Sequence, residues 1–353
     1  MTYSLRLSNI GLFLENKSTK IHLDPTRLSK EIDLVFISHA HSDHVYKKSK
    51  NLKTNIKTLL SYETKQIAHA RGYTIENAIY EKNGFQLIDS GHILGSRALV
   101  IEDNICYTGD ISTRKRGFIK GSKHIPKVET LIIESTFGKP EYIFPDIKEI
   151  IHRTNEIISH AYNHGKPVVL MGYALGKAQL LTDYFGHWDP FIVHDSIYEM
   201  NNIYKESGIN LREAVSYSDA EKENILSTKK PWLLLSPLMN GKSKFISNLK
   251  KKYDVITIGF SGWSCKNGYK NMMNLDYALP MSDHCDFNEL IEIVKKTKPT
   301  NVITFHGFSQ EFARSLRKIG FHAESIETYK REIVQKQRRF LNIDTKRSLD
   351  NYL

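Results

Sequence analysis

The segment His39-Ala40-His41-Ser42-Asp43-His44 gathers three imidazoles and a carboxylate within six residues. Imidazole and carboxylate are the side chains that ligate zinc and similar divalent cations. In an extended segment, residues i and i+2 share a face, so His39 and His41 can grip one ion. The chain turning at Asp43 and His44 can present a second pair to a neighbouring ion. Two further segments end in residues of the same types: Ser90-Gly91-His92 after QLID, and Thr108-Gly109-Asp110 after NICY. Each alone is weak, because a lone histidine after a strand is commonly just hydrogen-bonded and TGD is an ordinary turn. Their order after HAHSDH strengthens them. A dinuclear centre needs a bridging carboxylate, since an anion between two dications reduces their repulsion, and Asp110 is the candidate.

These residues need strands to hold them. Residues 1–135 read as short runs rich in β-branched and aromatic side chains, among them GLFLE, KIHLD, DLVFIS, ALVIED and TLIIES. From about 146 the period changes. DIKEIIHRTNEIISHAYNHG sets Ile147, Ile150, Ile151, Ile157 and Ile158 at helical spacing and closes on Gly165. Strand and helix then alternate through PVVLMGY, LGKAQLLTDYFG, FIVHD, PWLLLSP, KSKFISNLKKKY and DVITIGFSG, the pattern of an α/β unit with a mainly parallel sheet. Helix DFNELIEIVKKTK, strand NVITFHGF, helix EFARSLRKIG and a basic tail follow.

With 353 residues, 40% of them hydrophobic and 25% charged, the chain supports a substantial core, and fibrous or wholly disordered classes are excluded. No apolar run approaches the roughly 18 residues of a membrane span. Lys and Arg total 50 against 39 Asp and Glu, a net charge of +11 that favours polyanionic partners without specifying them. Three cysteines without CxxC spacing, and a start that lacks a secretory signal, predict a reducing, cytoplasmic compartment.

In order along the chain, HAHSDH, SGHILGS, TGD, IIESTFG, GYALGKAQ, PMSDHCDF and FHGF resemble the motifs of metallo-β-lactamase-fold nucleases of the β-CASP group. The resemblance spans roughly residues 20 to 325. It implies a four-layer αββα metallo-β-lactamase fold with an inserted α/β β-CASP cap. The expected division is 1–144 and 263–330 for the two parts of the hydrolase domain, 145–262 for the cap and 331–353 for the basic tail.

The resemblance also implies roles. One zinc would be held by His39, His41, His92 and Asp110, the other by Asp43, His44, Asp110 and His306, with manganese as the alternative metal. Asp43 and Asp110 are then catalytic carboxylates. His284 matches the motif B histidine, the expected general acid, and Glu134 of motif A would orient it and raise its pKa. Asp24 in HLDP is expected behind the ligands, holding a histidine by a hydrogen bond. The turn at Gly176 and Lys177, and Ser261 and Gly262 where the chain returns, are expected to contact substrate phosphate or line the cleft. The remaining nine histidines match no motif and read as structural or surface residues.

The activity so implied is two-metal phosphodiester hydrolysis in single-stranded RNA or DNA. His306 at motif C places RNA processing ahead of DNA repair. Ser348–Leu353 at the C-terminus resembles a sliding-clamp-binding peptide, although Lys346 stands where glutamine is usual and Leu353 replaces the second aromatic. That tail would instead point to an Artemis-type DNA nuclease recruited by the clamp. A small-molecule thioesterase or lactonase would share HAHSDH, His92 and Asp110, but Glu134, GYALGKAQ and His284 argue against it. A binding subunit with a degenerate site is disfavoured because every expected ligand is present.

Overall fold

The structure is a computed structural model that describes residues 3–8, 10–29, 31–47, 55–227 and 230–329. The tail from 331, with the clamp-like Ser348–Leu353, lies outside the described residues, as do Lys48, Ser49 and Lys50 of the lysine-rich stretch after HAHSDH.

Two six-stranded sheets pack face to face. The first runs Ser4–Ser8, Gly11–Glu15, Lys20–Leu23, Leu34–Phe36, Lys57–Leu59, Ala78–Ile79, with antiparallel pairs at its start and parallel pairs thereafter. The period of two along a strand sorts its side chains between two cores. Leu14, Leu34 and Phe36 point to the second sheet, while Phe13 and Val35 lie on the outer face, where helix Tyr62–Ala70 covers them with Ile67. In the second sheet the order is Ala323–Ser325, Asn301–Phe305, Thr130–Glu134, Ile105–Tyr107, Arg97–Ile101, Phe85–Asp89. Leu99, Tyr107, Ile132 and Phe305 face the first sheet. Val100, Cys106, Ile133 and Val302 face helices Phe287–Thr297 and Ser309–Lys318 on the other side. The layers are therefore helix, sheet, sheet, helix, as the resemblance implies.

The third sheet is parallel throughout: Val215–Ser216, Phe191–Val193, Leu233–Pro237, Val168–Gly172, Ile256–Phe260, Tyr277–Leu279. Its two faces feed separate cores. Val168 and Leu170 pack under helices Ile147–Asn163 and Lys177–Phe185, and Val169 and Met171 pack against helix Lys244–Tyr253. All of it lies in sequence between Thr130–Glu134 and Asn301–Phe305, which pair in parallel register in the second sheet, so it is an insertion into that sheet. The sheet continues past residue 262, because Tyr277–Leu279 is its edge strand.

Helix Ile147–Asn163 starts where Asp146 accepts from the Lys148 amide and is followed by Gly165 at φ +68°. Helix Tyr62–Ala70 has matching end signals, Ser61 accepting from the Thr64 amide and Gly72 at φ +82°, but only Thr64, Ile67 and Ala68 of its nine residues are buried, so its apolar stripe is short. Among the described residues no helix is long and apolar enough to cross a membrane.

Candidate metal centre

Asp24, the His39 loop, Asp110, Glu134 and His306 all follow, or end, the carboxyl ends of parallel strands, so the two sheets bring them to one edge. The loops there are pinned by main-chain bonds. The Asp24 amide donates to Phe36 O (2.9 Å), the Ser38 amide to Asp24 Oδ1 (2.6 Å) and the Arg97 amide to Ser38 O (2.8 Å), the last tying one sheet to the other. Two glycines next to candidate ligands are required by close approach. A Cβ on Gly109 (φ +53°) would lie 2.5 Å from Ser38 Cβ, and one on Gly91 (φ +70°) 2.3 Å from the Ser122 nitrogen. His306 itself adopts φ +60°, a costly conformation for a non-glycine residue, with its carbonyl held by Ser135 Oγ at 2.7 Å.

Hydrogen bonds at the far ring nitrogens decide which nitrogen each histidine offers. Ser38 Oγ donates to Asp24 Oδ2 (2.6 Å) and so accepts from His39 Nδ1 (2.9 Å). His44 Nδ1 donates to Asp24 Oδ2 (2.9 Å), which also accepts from Tyr107 OH (2.9 Å). His92 Nδ1 donates to Asp283 O (3.0 Å), and His41 Nε2 to Leu175 O (3.3 Å). Nε2 of His39, His44 and His92 and Nδ1 of His41 are left to face Asp110. Asp24 thus sits behind His39 and His44, holding both.

Ligand atoms of His39, His41, His92 and Asp110 lie within 4.8 Å of one another, and so do those of His44, Asp110 and His306. Asp110 Oδ2 is 3.4 Å from His39 Nε2 and 3.6 Å from both His44 Nε2 and His92 Nε2, and Oδ1 is 3.8 Å from His306 Nδ1. These separations exceed hydrogen-bond lengths. They match the edge of a tetrahedron with zinc-to-ligand bonds of 2.0–2.1 Å, about 3.3 Å. His44 Nε2 and Asp110 Oδ1 are buried without a hydrogen-bond partner, which the fold tolerates only where something else satisfies them. An imidazole-rich, thiol-free donor set of this kind fits zinc. Asp43 lies 3.6 Å from His44 Nε2 but is 74% exposed.

Charge in the cluster is arranged for a cation. Burial lowers the pKa of His39 and His92 well below the ordinary value and keeps both neutral, as ligands must be. Burial also opposes charge on His44, but Asp110 and then Asp24 outweigh it and hold its pKa at about 10. For Asp110 itself, burial is outweighed by the charges of His44 and then His284, and its pKa falls well below the usual range.

Beside the cluster, His284 Nδ1 lies 2.9 and 3.1 Å from the two oxygens of Glu134. Glu134 is buried and is fixed in turn by the Ile111 amide (2.7 Å) and Thr136 Oγ1 (2.5 Å). Burial works against a charged His284, yet Glu134 and then Asp110 raise its pKa to about 9. His41, Asp43, His92, Asp110, His284 and His306 all line one cleft of about 540 Å³, closed on the inserted side by Tyr173, Leu175 and Ser261.

At the Gly176 turn, where phosphate contacts are expected, the polar groups have partners inside the protein, and Lys177 also lines the cleft. The Gly176 amide is taken by Gln179 Oε1 (2.7 Å), and the Lys177 ammonium is buried against Asp283 Oδ2 and Met281 O, both at 2.9 Å. Ser261 and Gly262 do line the cleft. Ser261 Oγ caps the turn by accepting from the Trp263 amide (3.3 Å), and Phe137 packs so closely on Gly262 that a Cβ there would lie 2.4 Å from the ring. Arg116 and Asp283 escape a sequence reading. Arg116 sits in the charged run TRKRG, which reads as surface, yet it is 2% exposed and 3.0 Å from Asp283 Oδ1.

The sequence profile described as DNA repair metallo-beta-lactamase matches residues 238–305. A protein named probable DNA ligase from Opitutus terrae is 30% identical over 82% of this chain, which spans 28% of that protein's length. An RNase J-like protein from Methanocaldococcus jannaschii is 27% identical over 79% of this chain and 82% of its own. A crystal structure of a protein of unknown function from Enterococcus faecalis V583 superposes with a TM-score of 0.61 at 15% identity, covering 92% of this chain and 96% of that one, a likeness of fold.

Proposed function

This chain belongs to the metallo-β-lactamase-fold β-CASP nuclease family, and on that premise we propose that it is a divalent-metal-dependent nuclease that hydrolyses phosphodiester bonds in single-stranded nucleic acid. The observation that carries the reading is that the His and Asp clusters and the Glu134–His284 pair open into one cleft. His39, His41, His92 and Asp110 would hold one zinc, and Asp43, His44, Asp110 and His306 a second. Divalent cations supply Lewis acidity there, lowering the pKa of water toward about 7 and neutralising phosphate oxygens.

The chain's own residues do the rest. With Nδ1–H donated to Glu134, His284 has Nε2–H left for the leaving sugar oxygen. Its raised pKa keeps that proton in place at neutral pH. Glu134 holds the ring and stabilises its charge. The wall of Leu175, Phe137 and Trp263 excludes water from one side and offers aromatic faces to bases.

Between the two polymers, DNA is favoured by the DNA repair profile over 238–305 and by the relative named as a DNA ligase. This moves the preference away from the RNA reading that His306 suggested. The RNase J-like relative, aligned over most of both chains, keeps RNA as the second reading. Matched 5′- and 3′-labelled single-stranded DNA and RNA, incubated with the zinc-loaded chain and resolved by size, decide it. Faster loss of DNA is the expected result; faster loss of RNA favours the second reading, and hydrolysis of thioesters with neither polymer touched overturns the nuclease assignment.

A further inference from the structure

At the wall of the cleft, which Lys177 and Asp283 help to line, three charges from distant parts of the chain are buried together. Lys177 at the start of helix Lys177–Phe185 and Asp283 are 1% and 4% exposed at their side chains, and Arg116 is 2% exposed. Asp283 Oδ2 is 2.9 Å from Lys177 Nζ and Oδ1 is 3.0 Å from Arg116 Nη1. Each cation also grips main chain: Lys177 Nζ donates to Met281 O (2.9 Å), and Arg116 donates to Gly91 O, His92 O (3.1 Å) and Ser282 O (3.4 Å). The carbonyl of Asp283 is the acceptor for His92 Nδ1, and its neighbour in sequence is His284.

We propose that Lys177 is a positioning residue: together with Arg116 it locks Asp283, so that docking of the inserted sheet's helix fixes the aim of His92 and of the 281–284 segment that carries His284. The inference deepens the metal reading above and rests on it. It differs in kind from a phosphate contact, which would use the ammonium from the solvent side. Here two of the three donors of Lys177 are directed to protein atoms, Asp283 Oδ2 and Met281 O. Removing Lys177 takes the donor away from Met281 O and from one oxygen of the buried Asp283, and groups that orient a metal-bound histidine typically control 10–100-fold in metal affinity or activity.

The test compares the full-length chain with Lys177→Met and Lys177→Arg. Zinc retention against a chelator is measured first, without reference to activity. Lys177→Met should hold zinc about 10-fold or more less tightly, and Lys177→Arg should recover part of the loss. Binding of a single-stranded oligonucleotide is then titrated at several salt concentrations. A positioning role leaves the slope of log K against log salt unchanged, whereas a lost phosphate contact makes it shallower by about 0.7. At saturating zinc, kcat should fall while KM stays put. Unchanged zinc retention, or a shallower salt slope with kcat intact, overturns the proposal. If Lys177→Met does not fold, Lys177→Gln, which removes the charge but keeps a hydrogen-bond donor, is judged by the same two readouts. A wild-type chain that binds no zinc would sink the metal reading as well, and is recognised because the variants then cannot differ from it.

Discussion

The two halves of the centre that share Asp110 are held very differently. His39, His41 and His92 have their far nitrogens bonded inside the fold, to Ser38, Leu175 and Asp283, and His39 and His92 are fully buried. In the other half only His44 is so fixed, by Asp24; the side chains of His306 and Asp43 are 47% and 74% exposed. One half is preorganised by the meeting of two sheets. The other depends on side chains whose orientation the fold leaves freer, so it should bind its cation more weakly and exchange it sooner.

Asp110 belongs to both halves, and its loss should be the most severe. Asp110→Ala is expected to empty the chain of zinc and to abolish cleavage, read by elemental analysis of the dialysed protein and by gel assay. Retained metal would mean that the halves do not share this residue. His284 stands outside both. His284→Ala should keep zinc at the wild-type level while slowing turnover by about 10² to 10⁴, the scale of general acid catalysis; a loss of zinc would make it a ligand instead.

The contrast between the halves is sharpened by His92→Ala against His306→Ala. Both should lower zinc content, but His306→Ala should remove only the loosely held fraction, whereas His92→Ala should weaken the tightly held one, as chelator titrations would show. Equal losses would erase the distinction drawn here.

The smallest effect concerns stability. Burial would raise the pKa of Asp283, but Lys177 and Arg116 outweigh it and hold the carboxyl at about 2. A pKa depressed on folding adds stability that is fully present above the ordinary value near 4 and is lost as pH falls from there toward 2. The contribution is about 2 kcal/mol. Urea unfolding of the metal-free chain at pH 5 and pH 3 should show a steeper decline for the wild type than for Asp283→Asn; parallel declines would remove this carboxylate from the ledger.

How much of this could be read from the sequence follows from where the partners lie. HAHSDH is legible because its ligands sit in one loop behind an apolar strand, and His92 and Asp110 because each ends a recognisable strand. The change from a strand-rich start to an α/β module is legible too, in β-branched runs giving way to helical spacing, whereas the four layers came from the family resemblance. Asp24 and Glu134 carry no local signal beyond a turn and a strand end, and only the family resemblance singled them out. The partner of Lys177 has no local signal: LGKAQ looks like a phosphate-binding helix start, and the carboxylate beside its ammonium is more than a hundred residues away. Helix Tyr62–Ala70 was missed because it buries too little apolar surface to leave a pattern.

One titration bears most directly on the centre. The chain is stripped with a chelator, zinc is returned in steps, and the initial rate of cleavage of end-labelled single-stranded DNA is followed for the wild type and Asp110→Ala. The metal-free wild type should leave the strand intact and regain activity as zinc binds, while Asp110→Ala stays inactive throughout. Cleavage by the stripped chain, or full recovery in Asp110→Ala, would contradict a metal centre built around that carboxylate.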